Sequence, residues 1–502
     1  MKKIKCATNE GIEAKVVEVE ATLTKGLPSF SIVGMVSTAI SEAKERVKSA
    51  LLSNEFSFPP KRITLNLSPS ELSKSGSHFD LSIALLILLN DAVEDFDEWF
   101  IFGELGLSGD VKENIQLYPL ILSLANQGLI SKVIVPAESL EKLSKIPNVA
   151  FYGVNTLKEA MEVLKNQKQI TPSVSSSAIE YPFYELGAKR YYYVKEYEED
   201  FIDVKGQEVA KRAALIAAAG MHNLLLEGSP GCGKSMIASR LRYILPPMQM
   251  SEILDFAKLQ VLEGNEPDFK PHRPFKNPHH SSTLASIFGG GSHKARIGEI
   301  GLANNGILFF DELPYFSKSV LEALREPMQD NKIRISRVHS KVEYPANFLF
   351  VGAMNPCPCA NLLDEHKECR CNELEIQKYK NRLSEPFLDR IDISVTMQNV
   401  KSYDKPSYSS KELHKKVVEA HIFARKRGQN SFNAKLDDDA IEQYCVMDED
   451  ATTTLEMAVE RFRLSFRSIK KVQKVARTVA DLDSSERIKK EHLLEALSYR
   501  RR

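Results

Sequence analysis

Two periodicities alternate along the first third of the chain. Val16-Val17-Glu18-Val19-Glu20-Ala21 and Arg62-Ile63-Thr64-Leu65-Asn66-Leu67 settle into apolar–polar alternation, the period of a strand with one buried face. Residues 39–52 and 79–89 instead have helical length and patterning. Residues 1–165 therefore read as an α/β domain of their own. From residue 166 the chain turns polar, with Ser175-Ser176-Ser177, the cluster Tyr191-Tyr192-Tyr193 and acidic residues at 196–200, and the pattern predicts a linker over 166–200. Residues 201–400 carry short unbroken apolar runs at Leu224-Leu225-Leu226, Ile307-Leu308-Phe309-Phe310 and Phe348-Leu349-Phe350-Val351, expected as buried strands. The remainder, 401–502, is almost wholly helical in pattern and is expected to form a lid.

Chemistry enters where the first of these runs ends. Gly228-Ser229-Pro230-Gly231-Cys232-Gly233-Lys234-Ser235 is a complete GxxxxGK[ST] loop between a predicted strand and a predicted helix over 236–243. Its backbone N–H groups can wrap phosphate oxygens, and the helix N-terminus favours an anion. Lys234 is expected to bridge the β- and γ-phosphates of ATP and the Ser235 hydroxyl to bind Mg²⁺. The run at 307–310 ends in Asp311-Glu312; Asp311 is expected to hold the metal's water shell, and Glu312 to orient and deprotonate the attacking water. The strand at 348–354 ends in Asn355, a polar group able to sense the γ-phosphate. Arg382 and Arg390 could each reach a neighbouring subunit's nucleotide or serve as plain ion-pair partners.

Composition changes the picture little. In 502 residues, Lys plus Arg balances Asp plus Glu at 67 each, so any nucleic-acid surface must be local, and the 43% hydrophobic content fits an ordinary soluble protein. Residues 461–502 carry 13 Lys/Arg against 5 Asp/Glu, either a solvated helical face or such a surface. The N-terminus lacks the apolar core of a secretory signal, and the run 81–89 is too short to cross a bilayer, so a cytoplasmic protein without membrane contact is expected.

Three further features carry weight. Seven cysteines suit a reducing compartment, and four of them form close pairs, Cys357-x-Cys359 and Cys369-x-Cys371, that could hold a structural Zn²⁺ or stand as free thiols. Cys232, inside the phosphate loop, is either a reactive thiol or a space-filling residue. Two basic, non-apolar segments, one with Lys294 and Arg296 after a triple glycine and one with Arg337 and Lys341 near a predicted hairpin tip, are candidate DNA contacts or ordinary surface loops. The adjacent His279 and His280 have no partner at metal-ligand spacing and read as loop residues.

The order of these pieces resembles the ComM/YifB group of magnesium-chelatase-like AAA+ ATPases, over nearly the whole chain. The motifs that carry the resemblance are Phe201-Ile202-Asp203-Val204-Lys205-Gly206-Gln207, Pro278-His279-His280, Gly298-Glu299-Ile300, Phe310-Asp311-Glu312-Leu313-Pro314, Met354-Asn355-Pro356-Cys357-Pro358-Cys359, Leu388-Asp389-Arg390-Ile391-Asp392 and Leu464-Ser465-Phe466-Arg467-Ser468. The resemblance implies an AAA+ P-loop core of parallel sheet and helices, a helical lid and a preceding α/β domain of Lon-protease type. It implies Asn355 as sensor 1, Arg390 as the trans-acting finger with Arg382 its rival, and Arg467 as a sensor-2 arginine reaching back from the lid. It further implies a homo-oligomeric ring, usually a hexamer, whose ATP hydrolysis drives branch migration of DNA recombination intermediates during natural transformation. A metal-insertion motor of the chelatase type and a protein unfoldase are the rival functions. In the Lon-type stretch His78 falls at the serine position and Tyr118 near the lysine position, which removes the protease dyad, although Ser77 and Lys74 lie close by.

Overall fold

The computed structural model describes residues 2–501 apart from 91, 93, 168, 175–178, 291–295, 337–340, 365, 366 and 402. The chain forms two compact units, Met1–Glu180 with Leu254–Phe269, and Tyr181–Ile253 with Lys270–Arg502. Among the described residues no helix is long and apolar enough to cross a membrane.

The first unit is built on a seven-stranded mixed sheet in the order Ser29–Val33, Arg62–Ser68, Glu13–Thr24, Lys3–Glu10, Trp99–Ile101, Lys132–Pro136, Ala150–Val154. The alternating segments pair antiparallel, Val19 opposite Leu67, and both side chains are buried. The helix Asp80–Leu88 is apolar on every side because residues 80–87 are all buried. Its one charge, Asp80, is neutralised by Arg46, whose guanidinium donates to both carboxylate oxygens at 2.6 and 3.1 Å.

The second unit holds an all-parallel sheet in the order Phe275–Lys276, Ile307–Phe310, Leu349–Met354, Leu224–Gly228, Ile393–Met397. The unbroken apolar runs have a direct cause: both faces are covered. Leu224, Leu226, Phe309, Leu349 and Val351 point into one core with the helices Glu208–Gly220 and Lys234–Leu241, while Leu225, Leu308, Phe310 and Phe350 point into another. Register sets Glu227 opposite Met354 and Phe310 opposite Gly352, so the residues that follow these strands emerge together at the carboxyl edge of the sheet.

Residues 401–502 form the expected helices, Ser410–Lys426, Asp438–Tyr444, Glu449–Phe462, Phe466–Leu482 and Lys490–Ser498. They share a continuous core with the parallel sheet through Leu413, Val417, Val475 and Val479. Arg477 is wholly buried within them, donating to Asp481 at 3.1 Å and to backbone carbonyls of Ser485 and Glu486. Part of the stretch expected as a linker is folded. Phe183–Leu186 and Lys189–Tyr192 form a hairpin, extended by Met248–Gln249, because Tyr191 and Tyr192 are buried and the Tyr184 and Tyr191 rings stack 5.3 Å apart against His421.

Candidate active site

The phosphate-type loop leaves the strand Leu224–Gly228 at a point too crowded for a side chain. A Cβ on Gly228 would lie 2.7 Å from Cys232 Sγ and 2.9 Å from the Met397 carbonyl. Gly233 has φ of 96°, a left-handed conformation open to glycine, and the helix Lys234–Leu241 starts on the next residue. Its first-turn N–H groups lack intrahelical acceptors and are therefore free for an anion. Cys232 is buried, and burial pushes its thiol pKa up against the opposing pull of Lys234, so it fills space in the loop rather than acting as a low-pKa thiol.

Lys234 Nζ donates to the carbonyls of Gly228 at 2.6 Å and Ser229 at 3.0 Å and to Asn355 Oδ1 at 3.2 Å. Burial lowers its pKa, with Cys232 and Asp311 pulling the other way. Ser235 Oγ donates to Asp311 Oδ2 at 2.9 Å, and Asp311 Oδ1 accepts from the Glu312 N–H at 2.9 Å. Glu312 takes φ 52° and ψ 43°, which turns its half-exposed carboxylate across the cavity to within 3.4 Å of His280 Nδ1. These groups line one cavity of about 590 Å³ together with Asn277, Pro278 and His279.

Asn277, Pro278, His279 and His280 form one wall of the cavity, so the two histidines are site residues rather than the plain loop residues their sequence spacing suggests. The Pro-His-His motif was visible, but its contact with Glu312 joins positions far apart in sequence. The cavity as a whole offers backbone N–H groups and an ammonium for phosphate oxygens. Hard oxygen ligands on Ser235 and Asp311 suit a small divalent cation, and a carboxylate stands at hand for a water molecule.

The arginines fall elsewhere. Arg390 donates to Gln329 Oε1 at 2.8 Å and to the Arg325 carbonyl at 3.0 Å, and Arg467 donates to the same Gln329 oxygen at 2.9 Å. Burial, then the charges of Arg467 and Arg325, lower the pKa of Arg390. Neither lines the cavity that holds Lys234, so Arg467 is not brought to its own chain's phosphate loop as a sensor-2 arginine reaching back from the lid would be. Arg382 donates to the Pro314 carbonyl at 3.3 Å, just past Glu312, and its guanidinium sits 5.6 Å from the Tyr315 ring centroid.

Of the proposed DNA contacts, Lys294 and Arg337 lie outside the described residues. Arg296 and Lys341 are placed by backbone only, in the short strand Arg296–Ile297 and at the tip-side end of the hairpin Lys332–Ser336/Lys341–Pro345. The four cysteines Cys357, Cys359, Cys369 and Cys371 converge, their sulfurs all within 4.8 Å of one another. In the first unit, His78 is buried with Nε2 2.9 Å from the Ala7 carbonyl, and the Tyr118 hydroxyl donates to the Leu254 carbonyl at 3.2 Å. Ser77 is hydrogen-bonded to Glu104 and Lys74 to the Pro69 carbonyl, so these contacts join no serine to a lysine.

Comparison with known proteins covers most of the chain. Residues 200–405 match the family model for magnesium chelatase, subunit ChlI, residues 19–139 that for subunit ChlI of Mg-chelatase, and residues 407–500 that for the ChlI C-terminal region. The competence protein ComM of Haemophilus influenzae is 36% identical over 503 residues, covering 98% of this chain and 95% of its own. The uncharacterized protein YifB of Escherichia coli K12 is 36% identical over 502 residues with the same coverage. The magnesium-chelatase 67 kDa subunit of Heliobacterium mobile is 26% identical over 183 residues, 30% of this chain and 27% of its own.

Proposed function

The chain belongs to the ComM/YifB family of magnesium-chelatase-like AAA+ proteins, and from that premise we propose that it is a ring-forming, Mg²⁺-dependent ATPase that moves along DNA. The observation that carries the reading is the convergence of Lys234, Ser235, Asp311, Glu312 and Asn355 on one cavity at the carboxyl edge of a parallel sheet. The loop from Gly228 to Ser235 wraps the phosphates. Lys234 releases the loop carbonyls it now holds and turns to the β- and γ-oxygens, keeping its link to Asn355. Ser235 and Asp311 would hold Mg²⁺, which supplies charge neutralisation across the β- and γ-phosphates when bound. Glu312 orients the attacking water and takes its proton.

Arg390 and Arg467 share one acceptor and lie outside the cavity of their own chain, an arrangement suited to meeting a neighbour's γ-phosphate from across a subunit interface. That requires a closed homo-oligomer, and a hexamer is the expected size. ComM's name places that relative in competence, and the proposed substrate here is branched DNA formed in recombination, inside the cytoplasm. Lys294, Arg296, Arg337 and Lys341 are kept as proposed DNA contacts on their basic sequence context alone, and the first unit serves as a platform without peptidase chemistry.

Two observations weigh against the rivals. The competence relative aligns over 98% of the chain and the Heliobacterium chelatase subunit over 30%, although the ChlI family models together match residues 19–139, 200–405 and 407–500. Phe288, the aromatic residue nearest the triple glycine, packs against the core beneath the sheet instead of standing free as an unfoldase grip. ATP turnover should be measured alone, with forked or four-way DNA, with protoporphyrin and with an unfolded protein. Stimulation and strand displacement with DNA alone are expected; stimulation by porphyrin or protein in place of DNA overturns the reading.

A further inference from the structure

We propose that Cys357, Cys359, Cys369 and Cys371 bind one Zn²⁺ and that this ion holds Asn355 in position. Cys357 Sγ lies 3.5 Å from Cys359 Sγ and 3.7 Å from Cys369 Sγ, Cys359 and Cys369 are 3.6 Å apart, and Cys371 Sγ accepts from the Cys359 N–H at 3.4 Å. A disulfide would need about 2.05 Å between sulfurs, and all four thiols are free. Four thiolates at about 2.3 Å from one ion stand roughly 3.8 Å from each other, close to the spacing found. A multi-iron cluster spreads its cysteines more widely than a single ion does. Four soft sulfur donors in a tetrahedron select zinc among the common divalent ions, and binding displaces the thiol protons to solvent.

The place of the cluster in the fold gives the ion its role. Cys357 comes two residues after Asn355, where the strand Leu349–Met354 ends. Cys371 comes directly before Asn372, which caps the helix Glu373–Lys380 with a full capping box shared with Glu375. Tyr379 of that helix is buried, burial raises its hydroxyl pKa, and the backbone of Asn355 lies close enough to that hydroxyl to oppose the rise. The ion therefore ties the segment leaving Asn355 to the helix that supports it from the other side. Asn355 in turn holds Lys234 at 3.2 Å. Zinc binds outside the cavity, so Asn355 is the group it acts through and the ion is a positioning element. This role rests on ATP hydrolysis at the cavity described above; the metal binding does not.

The test separates the two parts. The full chain, made without a polyhistidine tag and kept reduced, should carry about one zinc by elemental mass spectrometry and, grown with cobalt, show the absorption bands of tetrahedral cobalt–thiolate. Cys359→Ser and Cys371→Ser should lose the metal. Their kcat for ATP should fall on the order of 10²-fold while the affinity for a fluorescent ADP stays within about threefold, the pattern of misplacement. Combining Cys371→Ser with Asn355→Ala should cost no more than the larger single effect. Should the serine variants fail to fold, wild-type protein stripped by a chelator and recovering its kcat on re-addition of zinc gives the same answer. Metal-free protein that takes up no cobalt, or one holding stoichiometric iron, overturns the site whatever the ATPase does. Zinc whose removal leaves kcat unchanged overturns the role of Asn355.

Discussion

Glu312 adopts a left-handed backbone that costs a residue with a β-carbon on the order of 1 kcal/mol, and what it gains is a carboxylate aimed across the cavity. Replacing it by Gln keeps size and backbone preference but removes the base. Hydrolysis by Glu312→Gln should fall about 10²- to 10⁴-fold with ATP binding retained, read by single-turnover kinetics beside equilibrium binding. A second residue prediction concerns pH. Burial lowers the pKa of His78 from its ordinary value to about 4, opposed by the Ala7 carbonyl, so the folded chain keeps it neutral where an unfolded chain protonates it. Stability from this group is complete above pH 6.5 and is lost as pH falls toward 4, up to roughly 3 kcal/mol. His414, also lowered to about 4 by burial, acts in the same direction. Urea midpoints should therefore drop between about pH 7 and pH 4.5, and His78→Gln should flatten the slope by about one proton.

At the scale of elements, capping decides where the C-terminal helices begin. Ser409 accepts from the Glu412 N–H at 3.3 Å while the Glu412 carboxylate accepts from the Ser409 N–H at 2.8 Å, a reciprocal box at the start of Ser410–Lys426. Ser409→Ala should destabilise the chain by about 1 kcal/mol in chemical denaturation, with no loss of nucleotide affinity. Such local devices, and the apolar runs, are why much of the fold was legible. Ile307–Phe310 and Leu349–Met354 read as buried strands because both faces of a parallel sheet demand apolar residues. The phosphate loop and Asp311-Glu312 were legible because their chemistry is contiguous in sequence. The hairpin at 183–192 was not, since its polar flanks hide a tyrosine pair that is buried only once His421 is beside it. The His280–Glu312 approach and the shared acceptor of Arg390 and Arg467 were equally hidden. Each joins residues from separate elements, and local pattern carries no signal of such meetings.

For the whole molecule the decisive issue is whether one chain completes its own site. Lys234, Ser235, Asp311 and Glu312 come together within a chain, but Arg390 and Arg467 donate to Gln329 and do not line that cavity. Arg390 donates to the Arg325 and Pro386 carbonyls and to Gln329, and Arg467 to Gln329, all neutral oxygens, which a neighbour's phosphate would replace as a stronger acceptor. If the finger acts in trans, Arg390→Ala and Glu312→Gln should each be nearly inactive alone, because every interface lacks one half. Mixing the two in equal amounts before assembly changes this. Interfaces where an Arg390→Ala subunit presents its intact Glu312 to a Glu312→Gln subunit carrying an intact Arg390 are whole again, roughly a quarter of all interfaces under random mixing. ATPase activity should then rise well above either parent toward that fraction of wild type, provided intact interfaces fire independently. An arginine acting within its own chain would give no rise, since no subunit in the mixture holds both residues.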